Sequence, residues 1–329
     1  MSAASAGGSG AITDGVSNDD RCGQGQIPLV YIAGTSYCGS TLLSFLLNMH
    51  PDLLCIGEMG PARQFEVEGY ECSCGAVLAE CPFFLQVRAH MDEQGVAFDM
   101  NRWELRHRYS ANRTLERLVT GTLGSRVLRS IRNPLLALVP RYTARMRAFE
   151  RRNVAFIRAA LLVSGTSIFL DATKIPSRIL FLAGIEEIDL RVIHLLRDPR
   201  GYCHSARKHS GRSVELASQE WASNQYHLED ARRKLPEVRW LRTRYEDLCT
   251  DPDKYLAELC DFMGVPHLPA PEEYRSTAHH IIGNKMRSSS DPRTSIHLDE
   301  KWRETLSESE QRIVARVARN QARRYGYEF

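Results

Sequence analysis

The chain has 329 residues, 43 % hydrophobic and 25 % charged, with a net charge of +3 and nine cysteines. This composition fits a soluble globular protein of one large or two modest domains. It makes no whole-protein case for nucleic acid and holds no apolar run long enough to span a bilayer. An odd number of scattered cysteines suggests reduced thiols and a cytoplasmic protein.

Residues 1–26 are rich in Gly, Ser, Ala and Asp, without the basic-then-apolar pattern of a signal peptide, and read as a disordered tail. Residues 27–329 read as one domain. Leu29 to Ala33 is a short unbroken apolar run, as in a parallel strand buried on both faces. Gly34 to Gly39 is a small-residue turn. Leu42, Phe45, Leu46 and Met49 then fall at helical spacing until His50-Pro51 ends the run. Strand, glycine turn and helix start together offer backbone N–H groups and a positive dipole end to an anion. The spacing Gly34-x4-Gly39-Ser40-Thr41 nearly matches the nucleotide P-loop, but Ser40 stands where that motif needs Lys. The change argues against γ-phosphoryl chemistry and leaves the anion cradle in place.

A second short strand is expected to end at Ile56, delivering Glu58 to the same sheet edge, where a carboxylate can serve as a general base or simply face solvent. Cys72, Cys74 and Cys81 are three of the four ligands that zinc takes, with Cys55 or a distant His as a conjectural fourth. The reading favours structural cysteines and no metal. Residues 102–158 hold fourteen arginines, no lysine and three acidic residues, so this segment carries +11 and the rest of the chain is net acidic. It reads as helices, from Asn112 and from Ala144 to Leu162, with breaks at Gly121, Gly124, Pro134 and Pro140. Residues 100–165 are thus expected to form a helical insert or lid, a steering surface for anions or a solvated face.

The sheet resumes at Ser167–Leu170, which exits into Asp171 and Lys174. Leu190–Leu196 is the next strand, followed by Arg197 and a helix through Ser205 and Arg207. Glu215–Leu235 reads as an amphipathic helix and Val238–Thr243 as a strand ending at Arg244-Tyr245. Asp251 caps a helix closed by Gly264, and Ser307-x-x-Glu310 is a capping box. Alternating strands and helices imply an α/β fold, a three-layer α/β/α sandwich on a mostly parallel sheet, with a P-loop-like nucleotide site at one edge.

These residues resemble the sulfotransferase superfamily that uses 3′-phosphoadenosine-5′-phosphosulfate (PAPS), nearer to its bacterial and tyrosylprotein-type branch than to the cytosolic phenol type. The resemblance covers roughly residues 28–60 and 167–305. It rests on the turn Ser36 to Leu43, His50-Pro51 to Glu58, Leu195 to Ser205 with Arg and Ser eight apart, Arg244 to Leu248, and His280 to Arg287 before Trp302. The resemblance implies that Gly39, Ser40 and Thr41 bind the 5′-phosphosulfate, with Tyr37, Cys38 and Leu42 beside them in the cofactor site. It implies Arg197 and Ser205 for the 3′-phosphate, Tyr245 beside the nucleotide, and Asn284, Lys285 and Arg287 in a late loop over the 3′-phosphate side. By likeness to the tyrosine-sulfating branch, Glu58 is the base.

One departure stands out: most members carry Lys or Arg where this chain has Tyr37, and Lys174 is the candidate to replace it at the sulfuryl group. The expected reaction moves the sulfuryl group from PAPS to a hydroxyl or amine of a small-molecule or carbohydrate acceptor, releases adenosine 3′,5′-bisphosphate and requires no metal. A P-loop kinase-like phosphotransferase and a non-catalytic nucleotide-binding relative are the alternatives. Acceptor identity and oligomeric state are not legible.

Overall fold

Strand β1 (Ile27–Ala33) sends Leu29, Tyr31 and Ala33 to one face of a sheet and Val30 and Ile32 to the other, and all five are buried. That two-sided burial is why the run is apolar without alternation. In this computed structural model the described residues are 25–59, 69–100, 105, 135–136, 138–275, 280–283, 286 and 295–329. The expected N-terminal tail (1–24 of it), the helix from Asn112, the breaks at Gly121, Gly124 and Pro134, and Asn284, Lys285 and Arg287 lie outside them.

After β1 come α1 (Ser40–Leu47), β2 (Leu53–Cys55), α2 (Pro82–Glu93), α3 (Pro140–Ser164), β3 (Ile168–Asp171) and α4 (Pro176–Leu182). They are followed by β4 (Ile188–Leu196), α5 (Pro199–Ser210), α6 (Val214–Lys234), β5 (Arg239–Arg244) and α7 (Tyr245–Thr250). The chain closes with α8 (Pro252–Met263), α9 (Trp302–Thr305) and α10 (Glu308–Arg323). The five strands run parallel in the order β2-β3-β1-β4-β5. Leu29 pairs with Phe169 on one side and with Leu190 on the other. Residues of α1 and α8 cover one face; α2, α3 and α4 cover the other, and α5, α6, α9 and α10 form a third cluster beside it. This is the three-layer α/β/α architecture expected from the alternation of elements.

The helix boundaries follow local chemistry. Asp251 caps α8 by accepting from the Lys254 N–H, and Gly264 ends that helix in the left-handed region. Ser307 and Glu310 cap α10 reciprocally. Pro140, expected as a break, instead opens α3 at its first turn, where its missing N–H costs nothing. The edge strand β5 carries Arg239, Arg242 and Arg244, charges that discourage pairing with another chain.

Helix α3 is arginine-rich, yet Phe149, Val154, Phe156, Ile157 and Leu161 are buried, the last four of them in the main core. Its turns are tied to the sheet by a buried polar network. Arg178 of α4 donates from Nε to Asp171 Oδ2 at 2.6 Å, from Nη2 to Asn153 Oδ1 at 2.9 Å and from Nη1 to the Leu105 carbonyl at 3.2 Å. Both charges are buried (side chains 6 % and 0 % exposed), so each depends on the other for solvation. Arg178→Ala strands the Asp171 carboxylate at the end of β3 and should cost about 3–5 kcal/mol of folding free energy in denaturant titration. A loss below about 1 kcal/mol would mean that other groups solvate Asp171.

Candidate active site

The turn after β1 is shaped by its neighbours. Gly39 is the N-cap of α1 at φ +94°, and a Cβ there would lie 2.5 Å from Tyr245 Cδ2. Only glycine fits both the left-handed backbone and the tyrosine ring. Having no side chain, Gly39 cannot cap α1, so no N-cap side chain satisfies the N–H groups of the helix's first turn. In the same turn the Thr35 hydroxyl is buried and has no hydrogen-bond partner among the described residues. Cys38 is buried, and burial pushes its thiol above the ordinary range.

At the next strand towards the edge, β3 runs out through Asp171 into Thr173 and Lys174. Thr173 donates to Asp171 Oδ1 and accepts from the Met59 N–H at 2.8 Å, which joins the exits of β3 and β2. Lys174 holds a left-handed backbone (φ +65°). Its Nζ donates to Glu58 Oε1 at 2.6 Å and to the Ala172 carbonyl at 3.0 Å. Burial disfavours the Lys174 ammonium, but the Glu58 carboxylate beside it, helped by Cys38, more than offsets this and raises its pKa above the usual lysine range.

Glu58 is delivered by β2, whose exit is fixed at both ends. Asn48 clamps Cys55 by donating to its carbonyl at 2.7 Å and accepting from its N–H at 2.6 Å. Gly57 turns the chain at φ +81°, where a Cβ would lie 2.1 Å from the Ile282 carbonyl oxygen. The Glu58 N–H donates to that same carbonyl at 3.2 Å. Neither Asn48 nor the 280–283 segment carried a signal in the sequence for this task, because Asn48, through its side-chain amide, and the segment, through its backbone, both bond groups outside their own local pattern.

On the other side of the turn, β4 exits into Arg197, which is almost fully buried. Its Nη1 donates to the Tyr37 carbonyl at 2.8 Å and to Ser205 Oγ at 3.3 Å; its Nη2 donates to Asp299 Oδ2 at 3.3 Å. The guanidinium lies 4.6 Å from the Tyr245 ring centroid. The two residues eight apart in sequence therefore meet. Burial of Asp299 opposes its charge, but Arg197 outweighs that and holds its carboxyl below the usual range. The Tyr245 hydroxyl donates to the His297 carbonyl at 3.1 Å and accepts from the Asp299 N–H at 3.2 Å.

Tyr37 takes another course. Its ring stacks on His209 at 5.7 Å, and its hydroxyl donates to Ser210 Oγ at 3.3 Å, so the side chain packs against the end of α5. Cys55, the conjectural zinc ligand, is buried in β2 with the residues of the opposite face, away from the other cysteines. Cys72, Cys74 and Cys81 instead gather around His280.

A parallel sheet that carries its polar groups on one carboxyl edge, with a glycine turn at the centre, defines an α/β fold with a ligand crevice at that edge. A sequence model of the Sulfotransferase family matches residues 28–270, and the chain belongs to that family. Among solved structures, the sulfotransferase domain of the Synechococcus PCC 7002 olefin synthase is similar over 93 % of this chain and 97 % of that one, with 22 % identity and a TM-score of 0.52. The sulfotransferase domain of the curacin biosynthetic pathway aligns over 90 % of this chain and 99 % of its own at 16 % identity, with a TM-score of 0.44. No curated protein matches the sequence. Among the described residues, no helix is long and apolar enough to cross a membrane.

Proposed function

We propose that the protein transfers a sulfuryl group from PAPS to a hydroxyl or amine of a small-molecule or carbohydrate acceptor, releasing adenosine 3′,5′-bisphosphate. The observation that carries this reading is the order of groups along the sheet edge. Following β2-β3-β1-β4-β5, the edge reads Glu58, Lys174, the glycine turn, Arg197 with Ser205, and Tyr245. The reactants follow the same sequence: acceptor, sulfuryl group, 5′-phosphate, ribose with its 3′-phosphate, and base. Arg197 and Lys174 stand two strands apart, about 10 Å in the direction of the ladder, so a cation serves each end of the donor.

The residues fit such a ligand. The unpartnered Thr35 hydroxyl and the uncapped first turn of α1 suit the 5′-phosphosulfate. Arg197 offers a guanidinium fork with Ser205 beside it; its partner Asp299 is the exposed member of the pair (39 % against 7 %), the one placed to yield to a phosphate. The donor supplies an activated sulfuryl group on a mixed anhydride; the protein supplies position, a base and charge.

Glu58 holds one carboxylate oxygen against Lys174, and its other oxygen takes the proton from the acceptor. The acceptor oxygen or nitrogen forms its bond to sulfur as the bond from sulfur to the 5′-phosphate breaks. An ammonium has three N–H donors, and Lys174 commits two of them, to Glu58 and Ala172. The third serves the sulfuryl oxygens or the leaving oxygen. Protonation of Glu58 weakens its hold on Nζ at the moment charge develops on the transferred group, so base and cation act in concert. Lys174 thereby stands in for the cation missing at Tyr37.

Thermal unfolding with adenosine 3′,5′-bisphosphate, 5′-AMP, and ATP plus Mg²⁺ in parallel tests the reading. At 100 times its dissociation constant a ligand adds about 2.7 kcal/mol, a visible rise in melting temperature. The bisphosphate should stabilise most. Stabilisation by ATP and Mg²⁺ alone would overturn the proposal in favour of a kinase.

A further inference from the structure

Away from the sheet edge, the structure gathers four metal-binding side chains that the transfer chemistry does not use. Cys72, Cys74, Cys81 and His280 bring their ligand atoms within 4.8 Å of one another. Three come from one short stretch and the fourth from a segment about two hundred residues later. Cys72 and Cys74 sit on a tight turn, where the Cys72 N–H donates to the Ala76 carbonyl at 2.9 Å and the Gly75 N–H to the Cys72 carbonyl at 3.0 Å. Cys81 is the N-cap residue of α2, so its sulfur stands at the positive end of that helix. His280 is fixed in plane by stacking on Phe83, with centroids 4.7 Å apart and an interplanar angle of 8°.

The distances identify what the group is built for. With zinc–sulfur bonds of about 2.3 Å and a zinc–nitrogen bond of about 2.0 Å, a tetrahedron has edges of about 3.8 Å between sulfurs and about 3.5 Å between sulfur and nitrogen. The Cys74 and Cys81 sulfurs are 3.7 Å apart; His280 Nδ1 lies 3.7 Å from Cys72 Sγ and 3.2 Å from Cys81 Sγ. A disulfide would hold two sulfurs at about 2.05 Å and leave the third thiol and the imidazole without purpose. Three thiols and one imidazole, all within 4.8 Å of one another and with these three separations near tetrahedral edges, form a soft donor set that suits zinc rather than magnesium or calcium.

We propose that Cys72, Cys74, Cys81 and His280 bind one structural zinc ion, which pins the 280–283 segment behind the Glu58 carboxylate. On binding, the thiols release their protons to solvent and no open position is left for a substrate. The segment so held is the wall of the candidate base. The Ile282 N–H donates to the Ile56 carbonyl at 2.8 Å and its carbonyl accepts from the Glu58 N–H, while Gly283 lies against the Glu58 side chain and exchanges two hydrogen bonds with the Tyr70 hydroxyl. The zinc contributes order at this wall and takes no part in sulfuryl transfer. This assignment departs from the expectation of no metal: the sequence showed three ligands in one stretch and could not point to which of eleven histidines completes them.

Metal analysis of the full chain, purified and reconstituted with zinc under reducing conditions, should give about one zinc per chain. Replacement by cobalt(II) should give the thiolate charge-transfer absorption and visible bands of a tetrahedral site, a readout that needs no variant. Cys74→Ser and His280→Asn should each weaken zinc binding in competition with a chromophoric chelator by more than about 100-fold, beyond what loss of an outer-shell partner costs. A reconstituted chain that holds less than about a tenth of an equivalent overturns the proposal, as does zinc binding unchanged in both variants. These outcomes are independent of whether the nucleotide is PAPS.

Discussion

Glu58→Gln is expected to keep nucleotide binding and to lose turnover by about 10²–10⁴-fold, the range over which a positioned general base contributes. The substitution preserves shape and one acceptor oxygen towards Lys174, so the wall built by Ile282 and Gly283 has no reason to move. What it removes is the capacity to take a proton. It also removes the countercharge that raises the Lys174 pKa, leaving a buried ammonium that burial alone disfavours. Calorimetric titration with adenosine 3′,5′-bisphosphate, alongside turnover against a panel of hydroxyl and amine acceptors, separates the two properties. Turnover within about threefold of the parent would remove Glu58 from the chemistry.

Arg197→Ala should weaken adenosine 3′,5′-bisphosphate by about 100-fold, or about 3 kcal/mol, the worth of hydrogen bonds to a charged group. Binding of 5′-AMP, which has no 3′-phosphate, should change far less. Arg197 also supports the Tyr37 carbonyl, Asp299 and the Tyr245 ring, so truncation alone could disturb the turn. Arg197→Lys keeps the charge but loses the fork, and should fall between parent and Ala for the bisphosphate only. Equal loss for both nucleotides in both variants would sink the assignment and make Arg197 a support for the turn.

Much of this architecture is legible in the order of the amino acids. Each of the five strands appears within two or three residues of its expected run, and the central ones do so because burial on both faces demands uninterrupted hydrophobic residues. The caps at Asp251 and Ser307 are legible because capping is a contact between residues three apart. Arg197 and Ser205 were pointed to by the family resemblance, and they meet because a strand exit and the second turn of the following helix are held together by local geometry. Pro140 misled because a proline reads equally as a break or as a first helical residue, and what precedes it decides. The arginines of α3 suggested an exposed surface, but the same helix carries an apolar face that the charge count did not weigh.

The sequence by itself determined the class of fold and the glycine turn between β1 and α1, both carried by patterns within a few residues of one another. The tertiary structure alone decided that β3 enters between β2 and β1, since strand order depends on pairing between segments more than a hundred residues apart, such as Leu29 with Phe169. That one placement sets Lys174 beside Glu58. Long-range pairing of the 280–283 segment with Gly57 likewise brings His280 to the three cysteines. Neither meeting is written in any local pattern, because the chain between the partners is free to vary while the hydrogen-bonded sheet is not.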